Sequence, residues 1–281
     1  MKQEQIEDEL ISYSPCRYHG SRMLFRGPRK RLNQPYLAFV GGTATYGKFI
    51  EHPFPYLVEK AMRQPAVNLG CINGGIDAFL GDPAVTEICQ NADLTVLQIM
   101  GANVISNRFY SVHPRRNDRF VGASSVMQAI YPDVDFTGFS FTRHMLGALQ
   151  TRSTDRFETI VTELRTAWTA RMRRFIEMLG RPPMLLWLSD TAPSDVHWSA
   201  NPNQLQADPL FVTKTMVEDL RPLVRDIVYV TPSREALSQG VKGMVFPPSQ
   251  RQAASEMLGV SCHREAAEQL VPAIREQLYA L

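Results

Sequence analysis

The chain has 281 residues, 44% of them hydrophobic and 21% charged, and a formal net charge of +2. This is the composition of an ordinary globular protein, long enough for one α/β unit with excursions. The near-neutral balance argues against bulk attraction to nucleic acid or membrane, so any preference for anions must be local.

The opening stretch MKQEQIEDEL is acidic and lacks the apolar centre of a secretory signal, and no later stretch is apolar for long enough to cross a bilayer. A cytoplasmic protein with no membrane span is the expectation. Residues 1–33 continue with SRMLFRGPRKRL, which is basic and carries Met23, Leu24 and Phe25 as buried-looking residues. They read as an arm packed on the core, with residues 34–281 as a single α/β domain.

Five short apolar runs follow as expected strands: Tyr36–Val40, Ala66–Leu69, Leu94–Met100, Met184–Leu188 and Ile227–Val230. Residues 104–150, with HPRRNDRF and several aromatic clusters, are too long for a simple crossover and read as an inserted cap. Helices are expected between the strands. The clearest starts at Asp155, which with Glu158 suggests a capping box, and lines up Phe157, Ile160, Val161, Leu164, Trp168, Met172, Phe175, Ile176 and Leu179. The last runs from about His263 to Leu278, with Pro272 expected to bend it. Alternating strands and helices predict a three-layer α/β/α fold around a five-stranded, mostly parallel sheet, doubly wound in the flavodoxin-like manner.

In such a sheet the ligand site lies beyond the carboxyl ends of the strands. Three unusual loops fall there: Gly41-Gly42-Thr43 after the first run, Asn73-Gly74-Gly75 after the second, and Gly101-Ala102-Asn103 after the third. A hydroxyl at Thr43 could attack a carbonyl there. The N–H groups of Thr43 and Gly74 and the amide of Asn103 could then surround the oxyanion. His263, at the start of the last helix, could serve as the base. His197 in SDVHWS is a rival, although a polar loop beside Trp198 is the simpler reading of that segment.

Gly42 to Lys48 also fits GxxxxGK, but Phe49 stands where a Mg²⁺-binding Ser or Thr is needed. Arg115, Arg116 and Arg119 read as a solvated loop or, folded over the crevice, as a grip on phosphate, sulfate or carboxylate. Arg22, Arg26, Arg29 and Arg31 offer the same choice. Cys16, Cys71, Cys89 and Cys262 show no paired spacing, so neither a metal nor a cofactor is expected.

The blocks GGT, NLG–NGG, GAN and the final histidine before a helix resemble, in that order, the four sequence blocks of the SGNH or GDSL-type hydrolases. The whole pattern, with FRGP, GGTATYGKF and HPRRNDRF, also resembles an uncharacterised alphaproteobacterial protein family. The SGNH resemblance implies Thr43 as nucleophile, Gly74 and Asn103 as oxyanion donors and His263 as general base. Separately from that resemblance, Gly42, Asn73, Arg115, Arg116 and Arg119 are expected to line the substrate. It implies an acyl-ester hydrolase or acyltransferase acting on a small-molecule, glycan or lipid-like substrate. Gly42 and Thr43 depart from the usual Asp-Ser, however, and Val260 stands where the orienting Asp is usual. Asp190 or Asp195 would have to replace that acid. The missing acids leave two further readings open: a non-catalytic protein that binds a phosphorylated or sulfated ligand, and a sulfo or phospho group transferase.

Overall fold

A computed structural model describes residues 10–195 and 205–279. The five apolar runs form β1 (Leu37–Gly41), β2 (Ala66–Gly70), β3 (Leu94–Gln98), β6 (Met184–Leu188) and β7 (Asp226–Val230), while β4 (Tyr110–His113) and β5 (Arg116–Ala123) make a separate antiparallel hairpin. The five pair in parallel in the order β2-β1-β3-β6-β7, with Leu37 opposite both Ala66 and Leu94. This is the doubly wound α/β fold. The chain leaves β1 towards one edge and returns on its other side as β3, so the switch point lies between β1 and β3.

Helices α1 (Thr43–Tyr46) and α2 (Phe54–Met62) follow β1, and α3 (Ile76–Leu80) and α4 (Pro83–Asn91) follow β2. After the hairpin come α5 (Ser125–Ile130), α6 (Thr142–Arg152) and the long α7 (Thr154–Met178). Helices α8 (Lys214–Glu218), α9 (Arg234–Ser238), α10 (Arg251–Ser255) and α11 (Val260–Tyr279) complete the described chain. Side chains alternate across the strands with a period of two. Leu37, Phe39, Val96 and Leu186 meet Phe54 and Val58 of α2 and Leu270 and Ile274 of α11 on one face. Ala38, Val40, Val67 and Leu97 meet Val85 of α4 and Leu164, Trp168 and Met172 of α7 on the other.

The stripe expected along α7 is buried from Phe157 to Leu179, but the cap is Ser153, whose hydroxyl accepts from Arg156 N–H at 3.3 Å. Asp155 lies instead in the first turn, where its charge suits the positive end of the helix dipole. Helix α11 starts at Val260, ahead of His263, and runs through Pro272. In the N-terminal segment Met23 and Phe25 are buried as expected, whereas Leu24 is 57% exposed. An antiparallel bridge between Cys16 and Phe25 makes the reason plain, since neighbours along an extended chain face opposite sides. Met127, Tyr131, Met145, Leu146 and Leu149, from the segment between β3 and α7, share the core beneath α7. Among the described residues no helix is long and apolar enough to cross a membrane.

Trp168 ties this core to the crevice. Fully buried, it donates from Nε1 to Met100 O at 2.7 Å, in the loop that leads into Gly101. Trp168→Phe keeps most of the ring but strips the carbonyl of its partner, so a loss of about 2 kcal/mol in unfolding free energy is expected from urea titration.

Candidate functional site

The crevice is assembled by glycines that bring the strand-end loops into contact. A methyl at Gly42 would lie 3.3 Å from Gly74 O, and one at Gly75 only 2.5 Å from Val104 O. The loops after β1, β2 and β3 therefore meet, as expected. What fills the turn after β1 is a residue that pattern reading missed. Gln98, at the end of β3, accepts at Oε1 from Gly42 N–H (3.2 Å), Thr45 N–H (3.2 Å) and the Thr45 hydroxyl (2.6 Å). A side-chain carbonyl thus occupies the place of a phosphate cradle, which removes the Walker reading.

Thr43 is half-buried and faces the loop after β2. Its Oγ1 accepts from Asn73 N–H at 3.0 Å and donates to Asn73 Oδ1 at 3.4 Å. Asn73 has φ 56°, a left-handed conformation that asparagine tolerates better than most residues. Gly74 N–H, expected as an oxyanion donor, is taken by Cys71 O at 3.0 Å in the same turn. Asn103 is 3% exposed; its backbone carbonyl accepts from the Tyr110 hydroxyl at 2.8 Å, while its side-chain Oδ1 is buried without a partner.

His263 does not meet Thr43 in a hydrogen bond. It is 2% exposed on the face of α11 turned to α2, its Nδ1 accepts from Phe54 N–H at 3.2 Å, and its ring stacks on Phe54. That bond puts the ring proton on Nε2 and uses the lone pair a base would need. Burial, with Arg26 adding to it, lowers its pKa to about 3. Neither proposed acid orients it: Asp190 accepts from the Ser189 hydroxyl at 3.4 Å, and Asp195 accepts from Thr215 N–H at 2.7 Å. His197 lies outside the described residues.

The partner of the Asn73 loop is instead the β4–β5 hairpin. Gly75 N–H donates to Asn117 Oδ1 at 2.7 Å, and Asn73 Nδ2 donates to Asp118 Oδ2 at 3.1 Å. Asn117 is fully buried and is fixed by its own bond to His113 O at 3.0 Å, while His113 Nδ1 accepts from the amides of Arg115 and Arg116. Neither Asn117 nor Asp118 stands out in the sequence; both sit inside the arginine-rich stretch that drew attention for its charge. Burial raises the Asp118 carboxyl against the opposing pull of Arg116 and Arg119, and its Oδ1 is buried without a partner. Burial likewise pushes the Cys71 thiol up to about 11, with Arg116 opposing and Asp118 adding to the rise.

Among the described residues Arg115, Arg116 and Arg119 form no ion pair; Arg119 stacks over the Phe141 ring at 4.6 Å. Arg26, by contrast, is spent inside the protein on the carbonyls of Tyr46, Gly47 and Glu51.

A family model described as "Domain of unknown function (DUF6473)" matches residues 1–278. No curated protein matches the chain. The fold is similar to that of a lipase from a goat rumen metagenome, at 10% identity over 85% of this chain and 97% of that one, with a TM-score of 0.42. It is also similar to a Corynascus thermopiles (Myceliophthora fergusii) carbohydrate esterase family 2 enzyme with its carbohydrate binding domain, at 12% identity over 90% of this chain and 69% of that one, with a TM-score of 0.45. These likenesses concern the course of the chain alone.

Proposed function

We propose that this chain, which belongs to the DUF6473 family, binds a small anionic ligand at the rim of the crevice beyond β1, β2 and β3. In this reading Thr43 tethers the loops and does not attack a carbonyl. The observation that supports it is the docking of the hairpin through Asn117 and Asp118, since the same stretch carries Arg115, Arg116 and Arg119, none of them in an ion pair among the described residues. Guanidinium groups grip phosphate, sulfate and carboxylate through parallel N–H bonds, and several together at a crevice concentrate such anions. The turn of the hairpin also meets the loop after β2 where Cys71 Sγ donates to Arg115 O at 3.7 Å.

Calorimetric titration with inorganic phosphate and sulfate tests the reading. Saturable binding is expected, weakened about tenfold or more in Arg116→Ala, with the melting temperature of the free protein unchanged. Equal affinity in the two proteins would refute it.

A second reading, acyl hydrolysis or transfer, or movement of a sulfo or phospho group, is supported by Asn103, whose Oδ1 is buried without a partner while no bond to a described residue engages its Nδ2, the donor an oxyanion would need. Thr43 would then attack, its N–H and the Asn103 amide would hold the oxyanion, and a group other than His263 would take the proton. Asp118, tied to Thr43 through Asn73, is the carboxylate best placed by bonds, and it would take the proton directly once the Thr43 hydroxyl leaves Asn73 Oδ1, because an amide relays none. Ester turnover lost in both Thr43→Ala and Asp118→Asn would favour this second reading over the first.

A further inference from the structure

At the opposite end of the sheet lies a cleft of about 740 Å³, lined by residues that precede the strands and end the helices. Pro35 leads into β1, Pro65 into β2, Asp93 into β3, and Arg225 into β7, while Arg63 follows α2 and Tyr279 closes α11. Its size is that of a small-molecule pocket.

Its walls carry three guanidinium groups against one carboxylate. Arg63, Arg181 and Arg225 line it, and none of them pairs with a carboxylate among the described residues. Arg181 donates from Nη1 to Ala92 O at 2.9 Å, and Arg225 from Nη1 to Gln277 O at 3.2 Å. Those neutral carbonyls end α4 and approach the end of α11, so they orient the guanidinium groups while leaving most of their N–H donors unused. Asp93, the one carboxylate on the wall, is occupied by Gln64 Nε2 at 2.6 Å. The Arg63 side chain makes no hydrogen bond to a described residue, and its backbone sits at φ 55°, a helix-ending conformation that glycine adopts at least cost. At the rim Tyr279 is 64% exposed, a flat apolar face beside the cationic wall.

We infer that this cleft is a second binding site, separate from the crevice, for a phosphorylated aromatic compound of the nucleotide class. The guanidinium groups would take the phosphates through bidentate bonds, and the Tyr279 ring would stack on the base. The inference does not depend on the reading of the crevice.

The test is calorimetric titration of the full chain with ATP, tripolyphosphate and adenosine. ATP is expected to bind in a saturable manner and more tightly than either fragment. Arg63→Gly is the informative variant: glycine suits the left-handed backbone, so the charge goes without a folding penalty. It is expected to weaken ATP binding about tenfold, with Arg181→Gln doing the same and Tyr279→Ala weakening ATP but not tripolyphosphate. Arg116→Ala, which addresses the crevice, is expected to leave ATP affinity unchanged. Absence of saturable ATP binding would overturn the inference. So would affinity that survives both arginine changes, which would leave these groups as caps of helix ends only, or affinity that falls only in Arg116→Ala, which would place the anion in the crevice.

Discussion

Between neutral pH and about pH 4 the protein is expected to lose about 3 kcal/mol of unfolding free energy through His263 alone. The ring is buried against Phe54 and its Nδ1 answers Phe54 N–H. A proton on Nδ1 would set two donors against each other in a site that water does not reach. Burial, the larger cause, and then Arg26 lower its pKa from 6.5 to about 3. The unfolded chain takes up that proton at the ordinary histidine value and the folded chain does not. The contribution is therefore intact above about pH 6.5 and is lost progressively as the pH falls towards 3. His263→Asn retains an acceptor for Phe54 N–H and removes the titration. Urea unfolding at several pH values should show the wild type losing stability faster than the variant across this window, and parallel profiles would show that His263 is not held neutral.

Arg26→Ala is expected to cost about 3 kcal/mol at neutral pH. Arg26 is 8% exposed, donates to Tyr46 O (3.2 Å), Gly47 O (2.7 Å) and Glu51 O (2.8 Å), and lies over the Tyr13 ring at 5.1 Å. The first two carbonyls end α1, the turn that carries Thr43, and their partial negative charge favours a cation there. Removing the fork takes a charged donor from three carbonyls and leaves Gly47 O with the Ile50 N–H at 3.1 Å, and lysine, with a single ammonium, cannot reach all three at once. Arg26→Lys should therefore recover only part of the loss. Because Arg26 also depresses the His263 pKa, its removal should move the acid transition of His263 upward in pH. A cost below about 1 kcal/mol in denaturant titration would show that this arginine is not a clamp.

The sheet was legible because a strand covered on both faces reads as an unbroken apolar run, and β1, β2, β3 and β6 are buried along their whole length. The meeting of the strand-end loops was legible for a similar reason: only glycine permits backbone approaches as close as that of Gly75 to Val104. Side-chain partners were not legible. Gln98 looks like one more strand residue until its carbonyl is seen to answer the turn amides. Asn117 and Asp118 matter because a hairpin far along the chain folds back onto Asn73, and spacing carries no trace of that contact. His263 was placed correctly at a helix start, yet which nitrogen is answered, and by what, depends on how α11 is rotated against α2. The cap of α7 shifted from Asp155 to Ser153 because both are good capping residues and only the backbone geometry chooses between them.

The role of Thr43 is tested most directly by exposing the wild type and Thr43→Ala to a fluorophosphonate probe and a panel of short acyl esters, reading intact mass and ester turnover together. With its hydroxyl engaged on Asn73 and no base bonded to it among the described residues, Thr43 should carry no adduct, and both proteins should hydrolyse the esters at the same background rate. A phosphonylated Thr43, or turnover in the wild type that vanishes in Thr43→Ala, would contradict the account.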